Sequence, residues 1–116
     1  MQANGLIVQL LLTGNEIMSG DTIDSNSALI ARRLDELAVP VLRKVTVGDD
    51  VALLRRELAA MAADADLVIV NGGLGPTVDD LTAEVLAAVA GVPLQEHPQA
   101  LEHLRQWCGR RNLQLN

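Results

Sequence analysis

The sequence has no Phe, no Tyr and a single Trp, at position 107. Proteins grip single-stranded nucleic acid by stacking its bases on exposed aromatic rings, so that mode of binding is excluded. Basic residues are also scarce: nine Lys and Arg stand against fifteen Asp and Glu, for a net charge of −6. Such a chain repels a phosphate backbone, which removes nucleic acid from the expected partners. The only cysteine, Cys108, can close neither an internal disulfide nor a cysteine-rich zinc site. With no activating base visible beside it, Cys108 reads as a packing residue, and a reducing, cytoplasmic setting is expected. The two histidines, His97 and His103, are six positions apart and do not share a helix face, so they form no metal pair. No apolar run comes near the roughly 18 residues of a membrane span, so no membrane association is expected.

What is present describes a small α/β domain. Hydrophobic residues make up 49% of the 116 and charged residues 21%, enough to build one aliphatic core and too apolar for disorder. Strand and helix patterns alternate three times. Leu6 to Thr13 is a nearly continuous apolar run, as expected for a strand covered on both faces. A polar loop from Gly14 to Thr22 follows, then a helix from about Ser25 to Ala38 with Leu29, Ile30, Leu34 and Leu37 on one face. Val41 to Val47 reads as a second strand with one face less buried, and Gly48-Asp49-Asp50 turns into a helix striped by Val51, Leu54, Leu58 and Met61. Asp66 to Asn71 is a short buried strand. The loop from Gly72 to Asp79 leads to a helix from about Asp80 to Ala90, with Thr77 and Asp80 at capping-box spacing and Gly91 as its stop. Pro98 suits the first turn of a last helix carrying Leu101, Leu104 and Trp107. Strands joined by helices imply a parallel sheet with right-handed crossovers.

In such sheets ligands bind beyond the carboxyl ends of the strands. All three of those ends carry polar, glycine-rich sequence, whereas the helix-to-strand connections are short and plain. In the third loop, Gly72, Gly73 and Gly75 let backbone N–H groups approach an anion, and the positive end of the following helix points the same way. Glycines alone serve equally well in a tight strand-to-helix turn. Two familiar phosphate loops are excluded: the third loop lacks the last glycine of the dinucleotide fingerprint, and Asp21-Thr22 stands where a P-loop needs Lys-Ser/Thr. Glu16, Asp49, Asp79 and Asp80 all fall at this same edge. Acids around a phosphate need a cation between them, and Mg²⁺ bound by one or two carboxylates plus substrate oxygens supplies it. For any single aspartate, capping a helix is the plainer role, open to Asp49 or Asp50 in one loop and to Asp79 or Asp80 in the other.

Thr13-Gly14-Asn15-Glu16-Ile17-Met18-Ser19-Gly20, Asp24-Ser25-Asn26, Val47-Gly48-Asp49-Asp50 and the run from Asn71 to Thr82 together resemble the molybdopterin-binding domain family that includes MoaB and MogA. More closely, they resemble the amino-terminal domain of the CinA (competence/damage-inducible) proteins, whose third loop carries Leu74-Gly75-Pro76-Thr77 and paired aspartates. The resemblance covers about Leu6 to Leu104 and implies a three-layer α/β/α fold with a mostly parallel sheet. It implies Mg²⁺-dependent hydrolysis of a nucleoside diphosphate sugar such as ADP-ribose, with Asp80, Asp49 and Glu16 as catalytic residues and Asp79 and Asp80 as metal ligands. Gly14, Ser25, Asn26, Gly72, Gly73, Gly75 and Thr77 are the implied substrate-binding residues. Two other readings are adenylyl transfer to molybdopterin and a non-catalytic pterin- or nucleotide-binding or dimerisation module. A homo-oligomer, dimer or trimer, is expected. Family domains continue past the position of Asn116, so 1–116 is expected to be a single domain truncated on its C-terminal side.

Overall fold

In a computed structural model, residues 5–75, 77–78 and 80–114 are described. Asp79, an expected metal ligand, lies outside them, as does Pro76. The elements are β1 (Val8–Thr13), α1 (Asn15–Met18), α2 (Asn26–Glu36), β2 (Val41–Val47), α3 (Val51–Asp64), β3 (Leu67–Asn71), α4 (Thr82–Ala90) and α5 (Pro98–Arg110). The three strands form one parallel sheet in the order β2-β1-β3. All six residues of β1 are buried, Gln9 and Thr13 among them, which is why that segment reads as a nearly continuous apolar run. β2 is mostly exposed up to Val45, and only Val47 at its carboxyl end is fully buried.

The strand order places the helices. The chain steps from β1 out to β2, then back past β1 to β3, and right-handed crossovers in opposite directions put α2 and α3 on opposite faces. On the α3 face, Leu11 and Val47 pack with Leu54, Leu58 and Met61 of α3 and Val85 of α4 in one core cluster. On the other face Val8, Leu10 and Leu12 are no more than 2% exposed. α3 opens at Asp50, whose carboxylate accepts the Leu53 N–H at 2.9 Å. α4 ends at Gly91 in the left-handed conformation (φ 70°), with Val92 N–H donating to Ala87 O as in a Schellman turn.

Four expectations shift. The loop after β1 contains a short helix, α1, closed by Met18 N–H on Gly14 O and Ser19 N–H on Asn15 O. α4 begins at Thr82 rather than Asp80, because Asp80 and Thr77 bond to one another instead of to the helix. Leu29 in α2 and Leu37 just after it are exposed, while Ser27 is 1% exposed and its hydroxyl donates to Asp24. α5 contains no buried residue, so the stripe of Leu101, Leu104 and Trp107 is not core. The radius of gyration is 16.0 Å, against roughly 13 Å for a compact domain of about 100 residues.

Gln9 points to the α3 face together with Leu11 and is 6% exposed, and its Oε1 has no hydrogen-bond partner among the described residues. Replacing a buried, unpartnered amide with an apolar group of similar size removes a desolvation cost, so Gln9→Leu is expected to stabilise the domain by about 1 kcal/mol. Leu11→Ala, on the same face, is expected to destabilise it by about 2–5 kcal/mol. Urea unfolding followed by circular dichroism measures both.

Candidate functional site

The crossover leaving β1 and the connection leaving β3 diverge to opposite faces of the sheet, which makes the gap between their carboxyl ends a topological switch point. A cavity of about 250 Å³ lies there. Thr13 ends β1 on one side, Asn71 and Gly72 follow β3 on the other, and the segment from Thr22 to Asn26 walls it with Glu16 and Ile17. A larger cavity of about 540 Å³ between α2 and β2 is bordered by Arg32, Glu36 and Lys44 and contains none of the expected site residues.

The backbone at this edge is held by close approaches. Gly14 has φ 150°, its N–H donates to Val47 O at 3.1 Å, and a Cβ there would meet Glu16 Oε1 at 2.5 Å. Gly72 (φ 105°) lies against the Thr13 carbonyl, where a side chain would collide with the main chain. Gly73 (φ 66°) lies against the Thr82 hydroxyl. Thr82 is 2% exposed; its Oγ1 donates to Gly72 O at 2.6 Å and its N–H to Gly73 O at 3.1 Å. The double glycine is thus fixed between the end of β1 and the start of α4.

Asp80 and Asp49 each accept hydrogen bonds at this edge. Asp80 Oδ2 accepts the Thr77 N–H at 3.0 Å and the Thr77 hydroxyl at 2.6 Å. The Thr77 hydroxyl and the N–H groups of Thr77 and Gly75 hold the Asp80 carboxyl below its ordinary value. Asp49 exchanges hydrogen bonds with Asn15 at 3.2 and 2.9 Å. Glu16 folds back beside Gly14 and borders the cavity. Among the described residues no three of His, Cys, Asp and Glu come together as a metal cage.

Of the expected site residues, Glu16, Ser25, Asn26 and Gly72 meet around the cavity. Gly14 and Gly73 sit beside them in the chain, supporting the backbone. Gly75, Thr77 and Asp80 form a separate closed turn just before α4. Sequence reasoning gave no site role to Thr13, Thr22, Ile23 and Asn71, all of which line the cavity, nor to Thr82 beneath it. The end of an apolar run was the available signal for Thr13. The position of Thr82 just past the loop was the signal for Thr82.

A polar crevice at the switch point of a parallel sheet, walled by a glycine loop and an acid, defines a small-molecule-binding α/β domain. A family profile described as "Probable molybdopterin binding domain" matches residues 9–113. A CinA-like protein from Colwellia psychrerythraea is 58% identical over 109 residues, 94% of this chain and 25% of the relative. The chain thus spans about a quarter of that relative's length. Among solved structures, a CinA protein of unknown function from Thermoplasma acidophilum superposes with a TM-score of 0.82 at 33% identity, over 92% of this chain and 63% of that one. The molybdopterin biosynthesis Mog protein from Mycobacterium ulcerans superposes with a TM-score of 0.65 at 26% identity, over 72% and 55% of the two chains. The chain belongs to the molybdopterin-binding domain family, in its CinA-like branch. Among the described residues no helix is long and apolar enough to cross a membrane.

Asp24 is a group at this edge whose environment shifts its titration. Burial raises its carboxyl, but the hydroxyl and N–H of Ser27 and the charge of Lys44 outweigh that and set it below its ordinary value. A depressed folded-state value contributes stability that is present above the unfolded-state value of about 3.9 and is lost as pH falls through the lower folded one. Ser27→Ala is expected to raise the Asp24 value and to flatten the stability profile in that acid window. Carboxyl NMR titration with parallel acid unfolding checks both.

Proposed function

We propose that this domain hydrolyses the pyrophosphate of a nucleoside diphosphate sugar such as ADP-ribose, with Mg²⁺ or another divalent cation. One observation carries the reading: the turn before α4 already holds an oxyanion. That oxyanion is Asp80's own carboxylate, gripped by the hydroxyl and N–H of Thr77. A phosphate oxygen presents the same charge and acceptor geometry. Substrate phosphate and Asp80 therefore compete for the donors of Gly75 and Thr77, and a bound phosphate releases Asp80 to face the reacting centre.

Gly72 and Gly73 admit the pyrophosphate close to the main chain, and Ser25 and Asn26 at the start of α2 face it across the cavity. Glu16 borders the same space and is placed to orient the attacking water. Asp80 and Asp79 are the carboxylates that would hold the cation, which supplies neutralisation of charge on the phosphoryl oxygens. A homo-oligomer in a reducing cytoplasm fits the single Cys108 and the exposed apolar residues Leu86, Leu104 and Trp107.

The family profile and the Mog neighbour favour a second reading, in which the crevice binds molybdopterin, with or without adenylyl transfer to it. Incubation with Mg²⁺ and ADP-ribose separates the two. Release of AMP is expected, with Asp80→Asn lowering kcat by about 10²-fold or more while KM does not rise. AMP release that survives Asp80→Asn removes Asp80 from the mechanism. Binding of pterin by calorimetry without turnover favours the second reading.

A further inference from the structure

Gly72 and Gly73 both have positive φ, 105° and 66°. Glycine takes either sign of φ at similar cost, so nothing within the pair selects how its peptide groups are turned. The selection comes from Thr82, ten positions beyond Gly72. Thr82 Oγ1 donates to Gly72 O at 2.6 Å and Thr82 N–H donates to Gly73 O at 3.1 Å, so two successive carbonyls face the first turn of α4. A planar trans peptide carries its N–H opposite its C=O. The N–H groups of Gly73 and Leu74 are therefore turned the other way, away from α4. Thr82 is 2% exposed, so its hydroxyl is shielded from water, and it lies beneath the cavity that Gly72 lines.

We propose that Thr82 is a positioning residue for the double glycine: acting through the Gly72 carbonyl, its buried hydroxyl keeps the Gly73 and Leu74 N–H groups turned toward bound pyrophosphate. This rests on the reading of the crevice as a pyrophosphate site. Valine at position 82 keeps the branched shape and removes only the donor. The Gly72 carbonyl then has no partner in a dry place, a cost its peptide relieves by turning over. The Gly73 N–H turns with it and is lost to the ligand. Serine at position 82 returns the hydroxyl and with it the original orientation.

The test uses the full chain with Mg²⁺ and ADP-ribose. Donors that hold pyrophosphate equally in the ground and transition states act on KM and not on kcat. Thr82→Val is expected to raise KM by about tenfold with kcat within about threefold of the parent, and Thr82→Ser to bring KM back to within about threefold. A merely structural role would lower the fraction of folded enzyme, and so kcat, with KM unchanged. An unchanged KM in Thr82→Val overturns the proposal, and so does a KM in Thr82→Ser as high as in Thr82→Val. Where circular dichroism shows that Thr82→Val does not fold, Thr82→Ala is read in its place. The amide NMR signals of Gly73 and Leu74 without ligand give a readout independent of turnover. One sharp set is expected in the parent and in Thr82→Ser, and doubled or exchange-broadened signals in Thr82→Val; sharp, unshifted signals in Thr82→Val overturn the proposal. If the parent releases no AMP, the pyrophosphatase reading fails, and these signals still decide the role of Thr82.

Discussion

The carbonyl of Thr13 and the backbone of Gly72 approach so closely that no side chain fits between them. This contact sits where the central strand ends, and the rest of the ligand edge is built outward from it. β1 is immobilised because all six of its residues are buried. Its end is bonded to β2 through Gly14 and faces β3 through Gly72. Thr82 then ties the double glycine to α4, so the loops inherit their positions from the stiffest part of the molecule.

The acidic composition serves this architecture in a way a net charge does not reveal. Asp24, Asp49, Asp50, Asp66 and Asp80 each accept a hydrogen bond from a backbone N–H. Four of them do so where strands give way to helices, and Asp66 does so at the entry to β3 through the Ile7 N–H. Such bonds satisfy main-chain donors that turns would otherwise leave without partners. The excess of carboxylates is thus partly a scaffold for loops.

The fold was legible because its signals are backbone-scale: continuous apolar runs for β1 and β3, and glycines where main chains meet. The parallel sheet followed from alternation, and loop polarity singled out the edge where the candidate cavity lies. What was not legible depended on which partner a polar side chain selects. Nothing in the spacing of Thr77 and Asp80 tells a helix cap from a self-contained turn. The Asn15–Asp49 pair, separated by 34 residues, leaves no local pattern. α1 is only four residues long, too short to show a periodicity. α5 carries an amphipathic stripe that sequence cannot distinguish from a core-facing one.

Trp107 is the chain's only aromatic residue, and it sits on α5 with the Arg111 guanidinium 4.1 Å from its ring centre. Near-ultraviolet absorbance and intrinsic fluorescence therefore report on that helix alone and are silent about the aliphatic core. A melt followed by fluorescence would track the detachment or fraying of α5, while far-ultraviolet signal follows the sheet and the helices packed on it. Non-coincident transitions from these two optical probes would mark α5 coming away before the sheet unfolds, a departure from two-state behaviour.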